Sequence, residues 1–135
     1  DDHFLFRQRG VAALRAARAD EVDTAHDGHQ CSRLLQQALD LGRPYRLLVL
    51  DWHMPGPSGL DLIRFVRGQA AFRASAIVML TSEAERGQVL TALKAGADGY
   101  VLKPCSPSHL TAEIAIWIAR LQAGFVHRPL APPAV

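Results

Sequence analysis

Leu47-Leu48-Val49-Leu50-Asp51, followed by Trp52-His53-Met54-Pro55-Gly56-Pro57-Ser58-Gly59, is the stretch on which the fold turns. Four consecutive apolar residues running into a loop of prolines and glycines read as a strand buried on both faces, the kind found in parallel sheets. An unpaired charge is too costly inside such a strand, which puts Asp51 at its carboxyl end. In open α/β sheets ligands bind at that edge. The chain therefore presents an acid at the mouth of a sheet, with apolar residues behind it and a shaped loop in front.

Two further segments have the same form. Ala76-Ile77-Val78-Met79-Leu80 ends in Thr81, and Gly99-Tyr100-Val101-Leu102 ends in Lys103-Pro104. Glu21 to Ala25 is a shorter, alternating strand candidate. Helical spacing fills the intervals. Phe6, Gly10, Leu14 and Ala17 share one face. Asp27 is placed to cap a helix carrying Cys31, Leu34, Leu35, Ala38 and Leu41. Ser58 and Asp61 have capping-box spacing for a helix through Arg67. Ser82 and Glu85 repeat that spacing before Val89, Leu90 and Leu93, with Gly96 as the stop. Ser106-Pro107 opens a last helix whose inner face is Leu110, Ile114, Trp117 and Leu121. Residues 122–135 carry three prolines and read as a C-terminal tail or linker stub.

Repeated strand–helix units imply a doubly wound parallel α/β sheet with helices on both faces. Right-handed crossovers then gather every strand's carboxyl end on one edge, so Asp51, Thr81 and Lys103 converge. The composition fits one soluble globular domain: 135 residues, 49% hydrophobic, 21% charged, net charge +2. No apolar run approaches the roughly 20 residues of a membrane helix, and no secretory signal is visible. Two cysteines, Cys31 and Cys105, are too few for a disulfide framework, so a cytoplasmic setting is expected. Thirteen scattered arginines form no basic block, which argues against direct nucleic-acid binding. The six histidines include no helical metal pair.

A carboxylate, a hydroxyl and an ammonium at one sheet edge suit phosphoryl transfer. The carboxylate can act as a nucleophile that forms an acyl phosphate. The ammonium is a compact charge for a phosphoryl oxygen, and Lys103 is one of only two lysines in the chain. The hydroxyl can bond a phosphoryl oxygen once it arrives. The remaining negative charge calls for Mg²⁺, which needs further carboxylates, and Asp1-Asp2 offers them.

In these features the chain resembles the receiver domain of bacterial two-component response regulators, over residues 1–121. Asp1-Asp2-His3 with Leu5-Phe6-Arg7-Gln8 is similar to the family's acidic pair and first helix. Asp51 with Met54-Pro55 and Gly59 matches its phosphoacceptor loop, Thr81-Ser82 its hydroxyl position, and Lys103-Pro104 its lysine–proline pair. The resemblance implies a five-stranded sheet of flavodoxin-like order 2-1-3-4-5. It implies that Asp51 takes a phosphoryl group from a phosphohistidine on a sensor histidine kinase or phosphotransfer protein. Asp2, Asp51 and the backbone carbonyl of His53 would bind Mg²⁺, with Asp1 assisting. Lys103 would contact the phosphoryl group, Thr81 would move toward it, and Tyr100 would turn inward. That shift would alter the face of the fourth helix, last strand and last helix, for an output domain, a target protein or a homodimer on the last-helix face. His53 and Glu83 occupy positions that tune how long the phosphoryl group persists. The domain would be a signalling module, not an enzyme with a separate substrate.

The chain departs from the family most clearly at its start. The family has an apolar strand just before the acidic pair, central in its sheet, and here that first strand is apparently missing. The slot would be filled by residues ahead of Asp1, by Phe125 to Leu130 or another molecule, or by Phe4-Leu5-Phe6 at the expense of the metal pair. Two other functions compete. An aspartate-nucleophile phosphohydrolase of the haloacid dehalogenase type wants an acid two residues after the nucleophile, where this chain has His53. A pseudo-receiver would keep the fold without phosphorylation, against which Asp51, Thr81 and Lys103 all stand.

Overall fold

The computed structural model describes residues 3–6, 22–25, 27–52, 58–82, 87–103 and 106–128. Among these residues five strands form one sheet: β1 (His3–Phe6), β2 (Val22–Ala25), β3 (Leu47–Asp51), β4 (Ala76–Ser82) and β5 (Gly99–Lys103), in the order β2-β1-β3-β4-β5. This is the expected 2-1-3-4-5 order. β3, β4 and β5 are parallel, with Asp51 beside Leu80, and Ser82 beside Lys103.

The central slot is filled by Phe4-Leu5-Phe6, and the first strand is therefore present, as a reversed one. β1 is antiparallel to both β2 and β3, while β3, β4 and β5 keep the expected parallel pairing. An open slot would leave two rows of backbone N–H and C=O groups unpaired, and antiparallel pairing satisfies them as fully as parallel. With Phe6 opposite Val22, the connection through residues 7–21 leaves and re-enters the sheet at the same edge. A parallel β1 would have required that connection to cross back along the sheet. Phe6 thus ends a strand and does not begin a helix; the rest of the expected first helix lies outside the described residues.

Among the described residues four helices cover the sheet: α1 (Gly28–Asp40), α2 (Gly59–Arg67), α3 (Val89–Ala95) and α4 (Pro107–Gln122), with a 3-10 turn at Ala70–Phe72. The caps explain three of the starts. Asp27 Oδ1 accepts the Gln30 amide at 2.7 Å. Ser58 and Asp61 form a reciprocal capping box. Ser106 Oγ accepts the His109 amide at 3.1 Å, with Pro107 in the first turn. α3 starts differently. Its cap is Gln88, with no side-chain cap bond, while Ser82 stays in β4. Leu41 was expected inside and is 61% exposed, because α1 stops at Asp40 and the chain turns away through Gly42 at φ 65°.

The sheet separates two cores, as the period of two along each strand requires. Leu48, Leu50, Ile77 and Met79 pack with α1, α2 and Ala92 of α3. Leu47, Val49, Ala76, Val78, Leu80 and Val101 pack against Trp117, Ile118 and Leu121 of α4. The sheet is thus covered on both faces, which is the doubly wound arrangement. Among the described residues no helix is long and apolar enough to cross a membrane.

Candidate functional site

Asp51 is the last residue of β3 and has no exposed surface. It follows Leu47 and Val49 on the α4 face of the sheet, level with Leu80 and Val101, and two residues beyond that row, across β4, stands Lys103, at the end of β5 on the same face as Val101. The two meet: Lys103 Nζ lies 2.8 Å from Asp51 Oδ2, a charge-assisted hydrogen bond. Lys103 keeps 28% of its side chain exposed. The ammonium therefore reaches in from solvent while the carboxylate stays within the sheet edge. A buried carboxylate of this kind is tolerable only when its charge is answered.

Gly59 lets α2 close onto the strand end behind this pair. As the first residue of α2 it is buried, and a Cβ there would come within 2.9 Å of the Met79 methyl, 3.2 Å of Trp52 Cα and 3.3 Å of the Asp51 carbonyl oxygen. Any side chain would push the helix off the strand end. The backbone of Trp52 continues the sheet for one more bond, donating to the Leu80 carbonyl at 3.1 Å. Its indole is buried in the core with α2.

Thr81 ends up nearby but faces the other way. It follows Ile77 and Met79 on the α3 side of the sheet, is 2% exposed, and has its Oγ1 3.5 Å from the Ser82 carbonyl. It lines a narrow cleft under α3 together with Trp52, Val89, Ala92 and Tyr100. Tyr100 sits beside Met79 in the β4–β5 register and is 43% exposed, turned outward at the mouth of that cleft. The structure thus brings Asp51 and Lys103 into contact, and groups Thr81 with Tyr100 on the far side of the same edge. Pairing by twos from Val49 and from Met79 would have shown this division in advance, once the register was known.

Asp1, Asp2, His53, Glu83, Pro104 and Cys105 lie outside the described residues. Among the described residues no three His, Cys, Asp or Glu side chains gather to hold a metal. The donor set nevertheless fits Mg²⁺ in kind. His3 pairs with Ala25, the last residue of β2, so the strand that Asp1-Asp2 precede in sequence starts at the carboxyl edge, where Asp51 lies. The other thiol is inert: burial pushes Cys31 up to about 12.

The comparisons with known proteins agree with this geometry. The family profile of the response regulator receiver domain matches residues 1–115. The chemotaxis protein CheY homolog of Campylobacter jejuni is 35% identical over 114 residues, 84% of this chain and 85% of that protein. The chemotaxis protein CheY1 of Helicobacter pylori is 38% identical over 80 residues, covering 59% of this chain and 64% of that relative's length. Among solved structures, the receiver domain of a signal transduction histidine kinase from Syntrophus aciditrophicus superposes with a TM-score of 0.55 at 28% identity, covering 81% of this chain and 76% of the other. The receiver domain of the Francisella response regulator 1452 gives 0.58 at 27%, covering 71% and 74%.

Proposed function

The chain belongs to the response regulator receiver domain family, whose standard role is phosphoacceptance in two-component signalling, and from that premise we propose that Asp51 is the phosphoacceptor. The observation that supports this most is the buried Asp51 carboxylate at the sheet edge with Lys103 Nζ 2.8 Å away. The donor is the phosphohistidine of a sensor histidine kinase or phosphotransfer protein. An Asp51 oxygen attacks phosphorus, the P–N bond breaks, and the imidazole leaves with a proton from solvent. An acyl phosphate remains. Lys103 already neutralises the nucleophile, and it passes from the carboxylate to a phosphoryl oxygen as the new group takes up the charge. Mg²⁺, held by Asp1, Asp2, Asp51 and the His53 carbonyl, would supply the remaining charge compensation on the phosphoryl oxygens.

The readout runs through the cleft under α3. Thr81 bonds the phosphoryl group and vacates space that Tyr100 enters, changing the surface of α3, β5 and α4 that an output domain, a target protein or a second copy would meet. Residues 1–121 make up this receiver unit. His53 and Glu83 flank the acyl phosphate and set its lifetime, so His53→Ala changes the rate of dephosphorylation; an unchanged rate removes that role.

The chemistry is tested by treating the phosphorylated chain with hydroxylamine. An acyl phosphate on Asp51 is cleaved, whereas a phosphate ester on Thr81 or Ser82 survives. Hydroxylamine-resistant phosphate would contradict the assignment.

A further inference from the structure

α4 ends at Gln122, yet the chain does not leave the domain there. Gly124 adopts φ 97°, a value that side chains resist, and the reversal it allows turns the chain back. Phe125 then stands edge-on to Trp117, ring centroids 5.7 Å apart, with its amide on the Arg120 carbonyl at 3.0 Å. Two residues on, the His127 amide donates to the Arg73 carbonyl at 3.2 Å, and His127 Nδ1 lies 2.6 Å from Asp98 Oδ1. The imidazole is 13% exposed.

Asp98 is gripped on its other oxygen. Oδ2 accepts from Arg67 Nη2 at 2.5 Å and from the Ile77 amide at 2.8 Å. Arg67 in turn donates to the carbonyls of Gly96, Phe72 and Ser75. One carboxylate thus joins the end of α2, the turn after α3, the start of β4 and the segment beyond α4. Its two oxygens divide the work: Oδ2 binds the body of the domain and Oδ1 binds His127.

We propose that residues 123–128 form a strap, buckled to Asp98 by His127, which fixes where the chain leaves the domain and loosens when the turn between α3 and β5 shifts. The second half rests on the phosphoacceptor reading above. Asp98 sits between Gly96, which stops α3, and Gly99, which opens β5, and Tyr100 follows two residues later. Movement of Tyr100 into its cleft pulls on the backbone that carries Asp98, and a contact of 2.6 Å has little slack. The strap lies at the amino edge of the sheet, opposite Asp51. A phosphoryl event at one edge would thereby set the course of the polypeptide leaving the other.

Residue-resolved amide exchange on the full 135-residue chain tests this, since exchange reads local opening. In His127→Ala the amides of Phe125 and His127 exchange about tenfold faster or more, the size expected for losing a hydrogen bond to a charged group, while β3 and β4 amides keep their rates. Val126→Ala, at an exposed neighbour, leaves the strap's rates alone. Unchanged rates in His127→Ala, or an equal acceleration in Val126→Ala, overturn the buckle. With Mg²⁺ and acetyl phosphate, the wild-type His127 amide accelerates toward the variant's rate and Asp51→Asn shows no response. Intact mass on the same samples separates the failures. A phosphorylated chain with unaltered His127 exchange overturns the coupling alone. A chain that takes up no phosphoryl group overturns the functional reading and the coupling with it, and His127→Ala still judges the strap.

Discussion

Lys103 answers the charge of a carboxylate that has no contact with solvent, and this one pair ties stability to function. Lys103→Met keeps most of the stem and removes the ammonium. It lowers the unfolding free energy by about 1–3 kcal/mol, the range for a buried charged group losing a hydrogen-bond partner. Urea melts of the two proteins measure this, and equal stability would mean that the contact contributes nothing. Cys31 supplies a second test at this scale. Burial pushes its thiol from 9.0 up to about 12. The unfolded chain therefore loses this proton first. The stability it contributes is complete below pH 9.0 and drains away as pH rises toward about 12. Wild type should lose more stability than Cys31→Ala between those limits; parallel alkaline limbs would contradict the buried position.

At the scale of elements, caps and close approaches set where helices begin. Ser58→Ala removes the Asp61 amide's acceptor and disrupts the capping box of α2, at about 1 kcal/mol by thermal or urea unfolding; a change within error would show the cap to be idle. This box, the Asp27 cap and the Ser106-Pro107 start were all legible, because each depends on residues within one turn of one another. The expected cap at Ser82 was not met for a reason beyond local spacing. β4 pairs as far as Ser82 with Lys103, so that residue's backbone is committed to the sheet. Leu41 misled in the same way: its helical spacing is correct, but the helix ends one residue too soon to bury it.

For the whole molecule, the three apolar strand ends carried most of what could be read. Asp51 and Lys103 do end parallel strands, Thr81 is the last but one residue of the strand between them because β4 runs on to Ser82, and the sheet order is the one the resemblance implies. The direction of β1 was not legible, since a strand of four residues with three apolar ones pairs equally well either way. Nor was the division that puts Thr81 on the α3 side, which needs the register. The knot around Arg67 and Asp98 is also invisible in sequence, its partners being 31 positions apart. Burial pushes the Arg67 pKa down and Asp98 opposes it, so the pair stands on mutual charge and four hydrogen bonds from one guanidinium. Arg67→Met takes the guanidinium countercharge from Asp98, which keeps the Ile77 amide and His127, and removes a donor from three carbonyls; it destabilises the fold by about 3–5 kcal/mol in equilibrium unfolding. A loss below about 1 kcal/mol, the worth of an exposed pair, would show that the knot does not hold the elements together.

The account rests on Asp51 as a nucleophile toward phosphorus. Intact mass spectrometry after incubation with Mg²⁺ and a small acyl-phosphate donor tests that directly, on the wild-type chain and on Asp51→Asn. The wild type gains the mass of one phosphoryl group and Asp51→Asn gains none. A wild-type chain that stays unmodified while the donor phosphorylates a known receiver, or an Asp51→Asn chain that is modified to the same extent, would contradict it.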